Sequence, residues 1–283
     1  MDDKTLQNIS NKFSTYKSGK STVWLDNSER LHKRIREKLF GIDLSIFDDT
    51  IEFCKEVCNS HRSREQALQI AKDKAAHKKL WFIRERTSDK DYMHFYSESH
   101  FYIFRQPYSH RFGGFRWFVR LVDHIDNSHV LEYGCGSAIL TEYLIRHFPN
   151  CEYTVADIPS ATLDFIRWKK DKYDCQYEIL EIGEGREGIP LERNYDLIIC
   201  RDVLEHTPNP LEITEELIRH SNPGAVLCID FLAAGKDVYV GENLSQALEQ
   251  REGVKKLLSE QTICLKAIGD TMGDHDGLYV KPW

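Results

Sequence analysis

The fold is decided by one stretch of the chain, which reads His129-Val130-Leu131-Glu132-Tyr133-Gly134-Cys135-Gly136-Ser137-Ala138. A short apolar run leads into two glycines, and Ala138 opens a segment with the composition of a helix. Glycines at a strand-to-helix turn let the backbone approach a ligand closely and direct the N–H groups of the helix start toward it. In a doubly wound α/β sheet, nucleotide ligands bind at this turn. We therefore expect a nucleotide-like ligand beside Gly134 and Gly136.

Downstream of this turn the chain alternates between apolar strands and helices. The strands are predicted at residues 129–133, 151–156, 177–180, 195–200 and 225–231, and the helices between them at 138–148, 160–172 and 210–220. A helix over 243–258 and late strands at 262–267 and 278–280 are expected to follow. Continuous apolar strands separated by helices are typical of a parallel sheet that is covered on both faces. The predicted fold class is α/β, with a doubly wound and mostly parallel sheet.

Two classes of ligand compete for a glycine turn of this kind. A dinucleotide site has a small residue three positions after the second glycine, and Ile139 occupies that position here. Glu132, Gly134, Gly136 and Ala138 instead give an acidic residue followed by small residues at every second position. This pattern resembles the class I S-adenosylmethionine-dependent methyltransferases, a family with a Rossmann-like fold.

A second segment carries the same resemblance. It reads Tyr195-Asp196-Leu197-Ile198-Ile199-Cys200-Arg201-Asp202-Val203-Leu204-Glu205-His206. In the family an aspartate precedes the fourth strand and a Leu-Glu-His run follows it. The prolines at 208 and 210 and the Ser221-Asn222-Pro223-Gly224 loop also match the family. The resemblance covers residues 129–231, roughly a third of the chain.

The resemblance implies S-adenosyl-L-methionine as the cofactor and S-adenosyl-L-homocysteine as its product. Asp157, at the end of the second strand, would accept hydrogen bonds from both ribose hydroxyls, and Ile158 would lie against the adenine. The alternative for Asp157 is an N-cap of the next helix. From the loop after the third strand, Glu184 is expected at the adenine edge. The full set of expected cofactor contacts is Glu132, Gly134, Cys135, Gly136, Asp157, Ile158, Glu184 and Arg201.

Residues 81–118 are unusually aromatic, with 13 of the 32 aromatic side chains of the chain. Interleaved with them are His94, His100, Arg105, His110, Arg111 and Arg116. Aromatic rings with polar tips can form the wall of a small-molecule pocket, and segments upstream of the first strand commonly cover the acceptor in the family. We therefore predict substrate contacts from Tyr96, Arg105 and His110. The alternative is that these rings form the core between the helical segment and the sheet.

The acceptor is predicted to be a small molecule, methylated on oxygen. An oxygen acceptor often needs a base, and His206 and His110 are the candidate catalytic residues, with His94 and His100 as rivals. Base-amine methyltransferases carry an Asn or Asp-Pro-Pro-aromatic run where this chain has Cys200-Arg201-Asp202-Val203. Cys200 ends an apolar strand, which favours packing over a nucleophilic role. An RNA methyltransferase, and a cofactor-binding protein without turnover, remain as alternatives.

Charge divides the chain into two parts. Residues 1–125 carry 23 Lys and Arg against 17 Asp and Glu, a balance of +6, and the other 158 residues have a balance of −13. We predict a helical N-terminal extension over 1–125 and the cofactor-binding domain over 126–283. In the extension, Leu31, Ile35, Leu39 and Phe40 recur at helical spacing within residues 31–51, and residues 63–80 are rich in helix-forming residues. The acidic second part disfavours nucleic acid as a partner.

The composition indicates a protein of the cytoplasm. No stretch approaches 18 apolar residues, and the first 20 residues carry no apolar signal region, so neither a membrane span nor secretion is expected. The eight cysteines are irregularly spaced, which is typical of reduced proteins. Cys54 and Cys58 are interpreted as helix packing and residues 273–277 as a solvated turn, so no metal site is predicted. The sequence makes no prediction of oligomeric state.

Overall fold

The computed structural model describes residues 33–39, 41–73, 75, 79, 88–97, 100–110, 125–184, 189, 191–230, 244–267 and 277–282. Expectations that concern residues 1–32, 81–87, 98–99, 111–118 and 273–276 lie outside the described residues. Within them, no helix is both long enough and apolar enough to cross a membrane.

The described residues form one seven-stranded sheet. Its strands are β1 His129–Tyr133, β2 Glu152–Asp157, β3 Glu178–Glu181, β4 Tyr195–Cys200, β5 Ser221–Ile229, β6 Ile263–Ala267 and β7 Gly277–Val280. Their order across the sheet is β3-β2-β1-β4-β5-β7-β6. The first five strands are parallel, and β7 runs antiparallel between β5 and β6. The predicted fold class is confirmed, and the order of the strands reverses between β1 and β4, which is where such sheets bind ligands.

Helices lie before the sheet and between its strands. They are α1 Asp48–Glu56, α2 Arg64–Lys72, α3 Asp89–Ser97, α4 Phe101–His110, α5 Ile139–Ile145, α6 Ala161–Tyr173, α7 Pro210–Arg219 and α8 Ser245–Gln261, with 3₁₀ turns at Leu44–Phe47 and Leu204–His206. Local chemistry sets several helix starts. Ser63 begins α2 with a capping box that includes Gln66, and Ser160 caps α6 by accepting the N–H of Leu163.

The helical spacing over residues 31–51 does not give a continuous helix. Residues 33–39 are helical, but Gly41 has φ +83° and the Asp43 side chain accepts the N–H of Ser45 to start the 3₁₀ turn. Ile35 and Leu39 are 44% and 70% exposed, so they do not form the buried face that the spacing indicated. A left-handed glycine and a local cap therefore override the periodicity.

Three apolar clusters hold the layers together. Two of them cover the faces of the sheet, and the third joins the N-terminal helices to α6. In the third cluster the ring of Phe53 packs edge-on against Phe165 at 5.3 Å, and Ile103 and Phe104 of α4 are fully buried. This packing holds α4 beside α6. The division of the chain at residue 125 remains a prediction, because Phe165 and the N-terminal helices share one core.

Candidate functional site

The turn after β1 is shaped by contacts that only glycine permits. Gly134 has φ +71° and Gly136 has φ +54°. A Cβ atom on Gly134 would lie 2.9 Å from Cγ1 of Val203 and closer still to Cγ2. The N–H groups of Gly134 and Cys135 both donate to the carbonyl of Ala156, at 2.8 and 3.1 Å. The turn is therefore tied to the end of β2 and packed against the segment after β4.

Asp157 lies at the centre of the site. Its Oδ2 accepts the N–H of Gly136 at 2.6 Å, and its Oδ1 accepts the N–H of Ile158 at 2.8 Å. Burial raises the pKa of this carboxyl to about 6, although both N–H groups act to lower it. The N-cap of α6 is Ser160, so the alternative role of Asp157 as a helix cap is not observed.

Glu132 lies beneath the turn. Its Oε2 accepts the N–H of Thr141 at 3.0 Å and also the Thr141 hydroxyl. Burial raises the pKa of Glu132 to about 7, against the lowering effect of both Thr141 hydrogen bonds. This carboxylate holds the first turn of α5 against β1. Its expected contact with the cofactor stays a prediction, since its described partners belong to the protein.

An apolar slot opens on one side of Asp157. It holds about 480 Å³ of space, part of it open to solvent, and its walls include Ile158, Ile182, Gly183, Val203, Ile213 and Met93. A slot with aliphatic walls suits a flat and weakly polar group such as a purine ring. Ile158 lines this slot, and its expected contact with adenine stays a prediction. Glu184 is the residue after Gly183 and is exposed, outside the described lining of the slot.

A larger cavity opens on the other side of Asp157. It holds about 1210 Å³, part of it open to solvent. One wall is the glycine turn, and a second is made by side chains of α3 and α4, which are Tyr96, Tyr102, Arg105, Gln106 and His110. Asp202 and His206 line a third side. We call this space the acceptor cavity. The structure thus brings Tyr96, Arg105 and His110 together in one cavity beside Gly136, whereas Phe95 and Phe104 are core residues. Contact of the first three with a substrate stays a prediction.

Neighbouring groups orient Arg105 and shift the pKa of His110 in the acceptor cavity. Nη1 of Arg105 donates to the carbonyl of Ala71 at 3.2 Å, which ties α4 to α2. Burial lowers the pKa of His110, Asp202 opposes this shift, and Arg201 and Arg105 add to it. The result favours a neutral imidazole at neutral pH.

The remaining histidines differ in position. Nε2 of His206 lies 3.8 Å from Oε1 of Glu205, and this ring also lines the acceptor cavity. His94 is exposed, and Nε2 of His100 lies 4.0 Å from Sγ of Cys58. Neither of these two is among the described residues that line the acceptor cavity.

A buried aspartate at the end of β5 organises the segment after β4. Asp230 accepts Nε of Arg201 at 3.0 Å and the N–H of Asp202 at 2.5 Å. Arg201, expected at the cofactor, is directed to this carboxylate and lies outside the described lining of both cavities. Asp202 has φ +54° and lines the acceptor cavity instead. Sequence reasoning missed Asp202, which lies in the motif segment after the fourth strand without an assigned role, and Gln106, which belongs to no recognisable pattern.

The cysteines near the site are packing residues. Cys135 is 6% exposed, and its Sγ donates to the carbonyl of Gly136 at 3.6 Å, so its side chain lies in the core under the turn. Cys200 is fully buried, and burial raises the pKa of its thiol well above the usual value. Among the described residues, no group of three or more His, Cys, Asp and Glu side chains is arranged to hold a metal ion.

Comparison with known proteins agrees with this geometry. Residues 110–264 match a family model described as a methyltransferase domain. Over 128 residues the chain is 29% identical to a malonyl-[acyl-carrier protein] O-methyltransferase of Ilyobacter polytropus, covering 45% of this chain and 44% of that protein. Over 107 residues it is 27% identical to a ubiquinone biosynthesis O-methyltransferase of Hydrogenovibrio crunogenus, covering 38% and 44%. The matched region thus spans less than half the length of these relatives.

A solved structure supports the fold alone. It is an O-methyltransferase family protein from Burkholderia thailandensis, with a TM-score of 0.50 and 13% sequence identity. The match covers 76% of this chain and 70% of that one.

Proposed function

Because the chain belongs to the class I S-adenosylmethionine-dependent methyltransferase family, we propose that it transfers the cofactor's methyl group to an oxygen of a small molecule. The observation that carries this proposal is the acceptor cavity, which adjoins Gly136 and Asp157. Its wall combines the ring of Tyr96 with Arg105, His110 and His206. Aromatic surface with a few converging polar groups is typical of small-molecule sites. The O-methyltransferase names of the two relatives support oxygen as the acceptor atom.

The residues present fit S-adenosylmethionine. A carboxylate has about four lone-pair positions, and the N–H groups of Gly136 and Ile158 occupy two on Asp157, which leaves room for two ribose hydroxyls. The apolar slot beside Ile158 suits adenine. Beyond Gly136, the polar side chain of Gln106 lines the acceptor cavity, on the side away from the slot.

The chemistry that the bound cofactor supplies is an electrophilic methyl group on a positively charged sulfur. The protein orients the acceptor and excludes water. Tyr96 and Tyr102 provide the aromatic wall, and the Arg105 guanidinium attracts an anionic part of the acceptor. We assign His110 to accept the proton that an acceptor hydroxyl loses, because burial keeps its imidazole neutral. His206 is the second candidate for this proton.

Nucleic acid fits the site less well. Phosphate backbones are bound through several Lys and Arg contacts, and the cofactor-binding part of the chain carries the acidic balance. The described walls of the acceptor cavity contain the carboxylates of Asp157 and Asp202 as well as Arg105 and His110. This mixture suits one anionic group better than a polyanion.

The proposal is tested by turnover with isotope-labelled cofactor. The protein is incubated with S-adenosylmethionine that carries a deuterated methyl group and a panel of small hydroxyl and carboxyl compounds, and the products are read by mass spectrometry. We expect labelled methyl ethers or esters. Labelled RNA, or label on carbon or nitrogen only, would overturn the oxygen assignment. Bound cofactor without transfer to any compound class would favour a binding protein.

Variants then test the cavity wall. Tyr96→Ala and His110→Ala should lower turnover strongly while the affinity for S-adenosylhomocysteine changes little. His147→Ala is a matched histidine control, since His147 is exposed just after the end of α5 and is not among the described residues that line the acceptor cavity. If both cavity variants turn over like the control, the acceptor does not bind there.

A further inference from the structure

Gln106 of α4 reaches over the glycine turn. Its Oε1 accepts the N–H of Ser137 at 2.6 Å. A Cβ atom on Gly136 would lie 2.6 Å from the same Oε1 and closer still to Nε2. The amide of Gln106 therefore fills the space that a side chain at position 136 would occupy. This contact joins residues 31 positions apart in the chain, and no motif of the family's sheet includes Gln106.

The two cavities fix the direction in which the cofactor must run. Adenine fits the apolar slot at Ile158, and the ribose fits at Asp157. Continuing away from the slot, the next groups that line the acceptor cavity are Gly136 and Gln106. In this placement the amino-acid end of the cofactor, with its carboxylate and ammonium, would lie at Gln106.

An amide suits that end of the molecule chemically. Gln offers two N–H donors to a carboxylate and an oxygen acceptor to an ammonium. The backbone N–H of Ser137 already donates to the Oε1 of Gln106, which leaves both N–H groups of the amide for a carboxylate. We propose that Gln106 is the cofactor-binding residue that recognises the amino-acid end of S-adenosylmethionine, and that it makes the site prefer the whole cofactor over its truncated nucleoside.

This inference rests on the proposed placement of the cofactor. A cofactor-binding role and a purely structural role of Gln106 predict different losses of affinity for ligands with and without the amino-acid end. If Gln106 only held α4 against the turn, its loss would weaken every ligand of the slot and of Asp157 alike. If it binds the amino-acid end, its loss weakens only ligands that possess that end.

Calorimetry with two ligands separates these cases. S-adenosylhomocysteine has the amino-acid end, and 5′-methylthioadenosine shares the adenine, ribose and sulfur but lacks it. For Gln106→Ala we expect affinity for S-adenosylhomocysteine to fall about tenfold or more, as for the loss of a hydrogen bond to a charged group. Affinity for 5′-methylthioadenosine should stay unchanged. Asp157→Ala is the positive control and should weaken both ligands.

Gln106→Glu provides an independent variant of the same size. It removes the N–H donors and sets a negative charge beside the cofactor carboxylate, so it should weaken S-adenosylhomocysteine at least as much as Gln106→Ala. Ser97→Ala, at the exposed end of α3, is the matched control and should bind both ligands like the wild type. Equal losses for both ligands, or no loss for either, would overturn the proposal. If the wild-type protein bound neither ligand, the cofactor placement itself would be wrong.

Discussion

Lowering the pH should weaken cofactor binding through Asp157. Burial raises the pKa of this carboxyl to about 6, so it is ionised at pH 7.5 and largely protonated at pH 5. The ionised form can accept two ribose hydroxyls in addition to the N–H groups of Gly136 and Ile158. Protonation turns one of those acceptor positions into a donor. One ribose hydrogen bond then loses its acceptor.

The size of the effect follows from that single proton. If only the ionised form binds well, affinity for S-adenosylhomocysteine falls about tenfold between roughly pH 7.5 and pH 5, or about 1.4 kcal/mol. Asp157→Asn imitates the protonated state at every pH. It should bind about 1.5 to 3 kcal/mol more weakly than the wild type at neutral pH, as for hydrogen bonds to a charged group. Its affinity should not change over this range, so the two curves approach each other at low pH.

Calorimetry with S-adenosylhomocysteine across this pH range measures both curves, and circular dichroism confirms that the protein stays folded. Glu132 is the necessary control, because burial raises its pKa to about 7 within the same window. Glu132→Gln should keep the pH dependence, since the described partner of Glu132 is Thr141. The reasoning is refuted if the wild-type affinity is flat, or if Asp157→Asn keeps the wild-type slope.

Three further predictions concern the turn and the acceptor cavity. Gly134→Ala should lower the free energy of unfolding, measured in urea, by about 2 to 4 kcal/mol, because of left-handed backbone strain and overlap with Val203. Adding Val203→Ala to the same chain should recover part of this loss. A Gly134→Ala variant as stable as the wild type would contradict the packing. Asp202→Asn should lower the pKa of His110 in an NMR titration, because Asp202 opposes the lowering caused by burial, Arg201 and Arg105; an unchanged or higher pKa refutes the pairing. The pKa of Glu132 is about 7 in the folded protein, above its ordinary value of 4.5. The contribution of this carboxyl to the unfolding free energy is therefore complete below pH 4.5 and is lost as the pH rises through 7. The unfolding free energy of the wild type should therefore fall relative to Glu132→Gln from about pH 5 to 8, by the order of 3 kcal/mol at most, and parallel profiles would show that Glu132 does not titrate there.

The sheet and the glycine turn could be predicted because their signals are local. β1 and β4 begin and end where their apolar runs do, since a buried parallel strand is a short apolar segment between turn residues. Gly134 and Gly136 lie in the turn after β1, and Asp157 is the last residue of β2, so the pairing of these two strands brings them together. The prediction of a helix over residues 31–51 was wrong because Gly41, in a left-handed conformation, interrupts it. Hydrophobic periodicity alone does not detect such an interruption.

Patterns could not tell which acidic and basic side chains face a ligand. Glu132 and Arg201 belong to motif segments, yet their described partners are Thr141 and Asp230. The side chain of a residue on β1 or just after β4 can point toward the cavity or beneath the turn. Neither the alternation of side chains along a strand nor a motif specifies which group that side chain will contact. Asp202 reached the acceptor cavity because its backbone takes a left-handed conformation that is uncommon for a residue other than glycine.

The cofactor side and the acceptor side share one mechanical frame. Phe104 buries α4 in the cluster that contains Phe165 of α6, and α6 begins just after Asp157. From that position α4 directs Gln106 onto the glycine turn and Arg105 and His110 into the acceptor cavity. A densely packed core resists small displacements of one element against another. The distance between the glycine turn and the α4 wall of the acceptor cavity is therefore set by the apolar contact of α4 with α6.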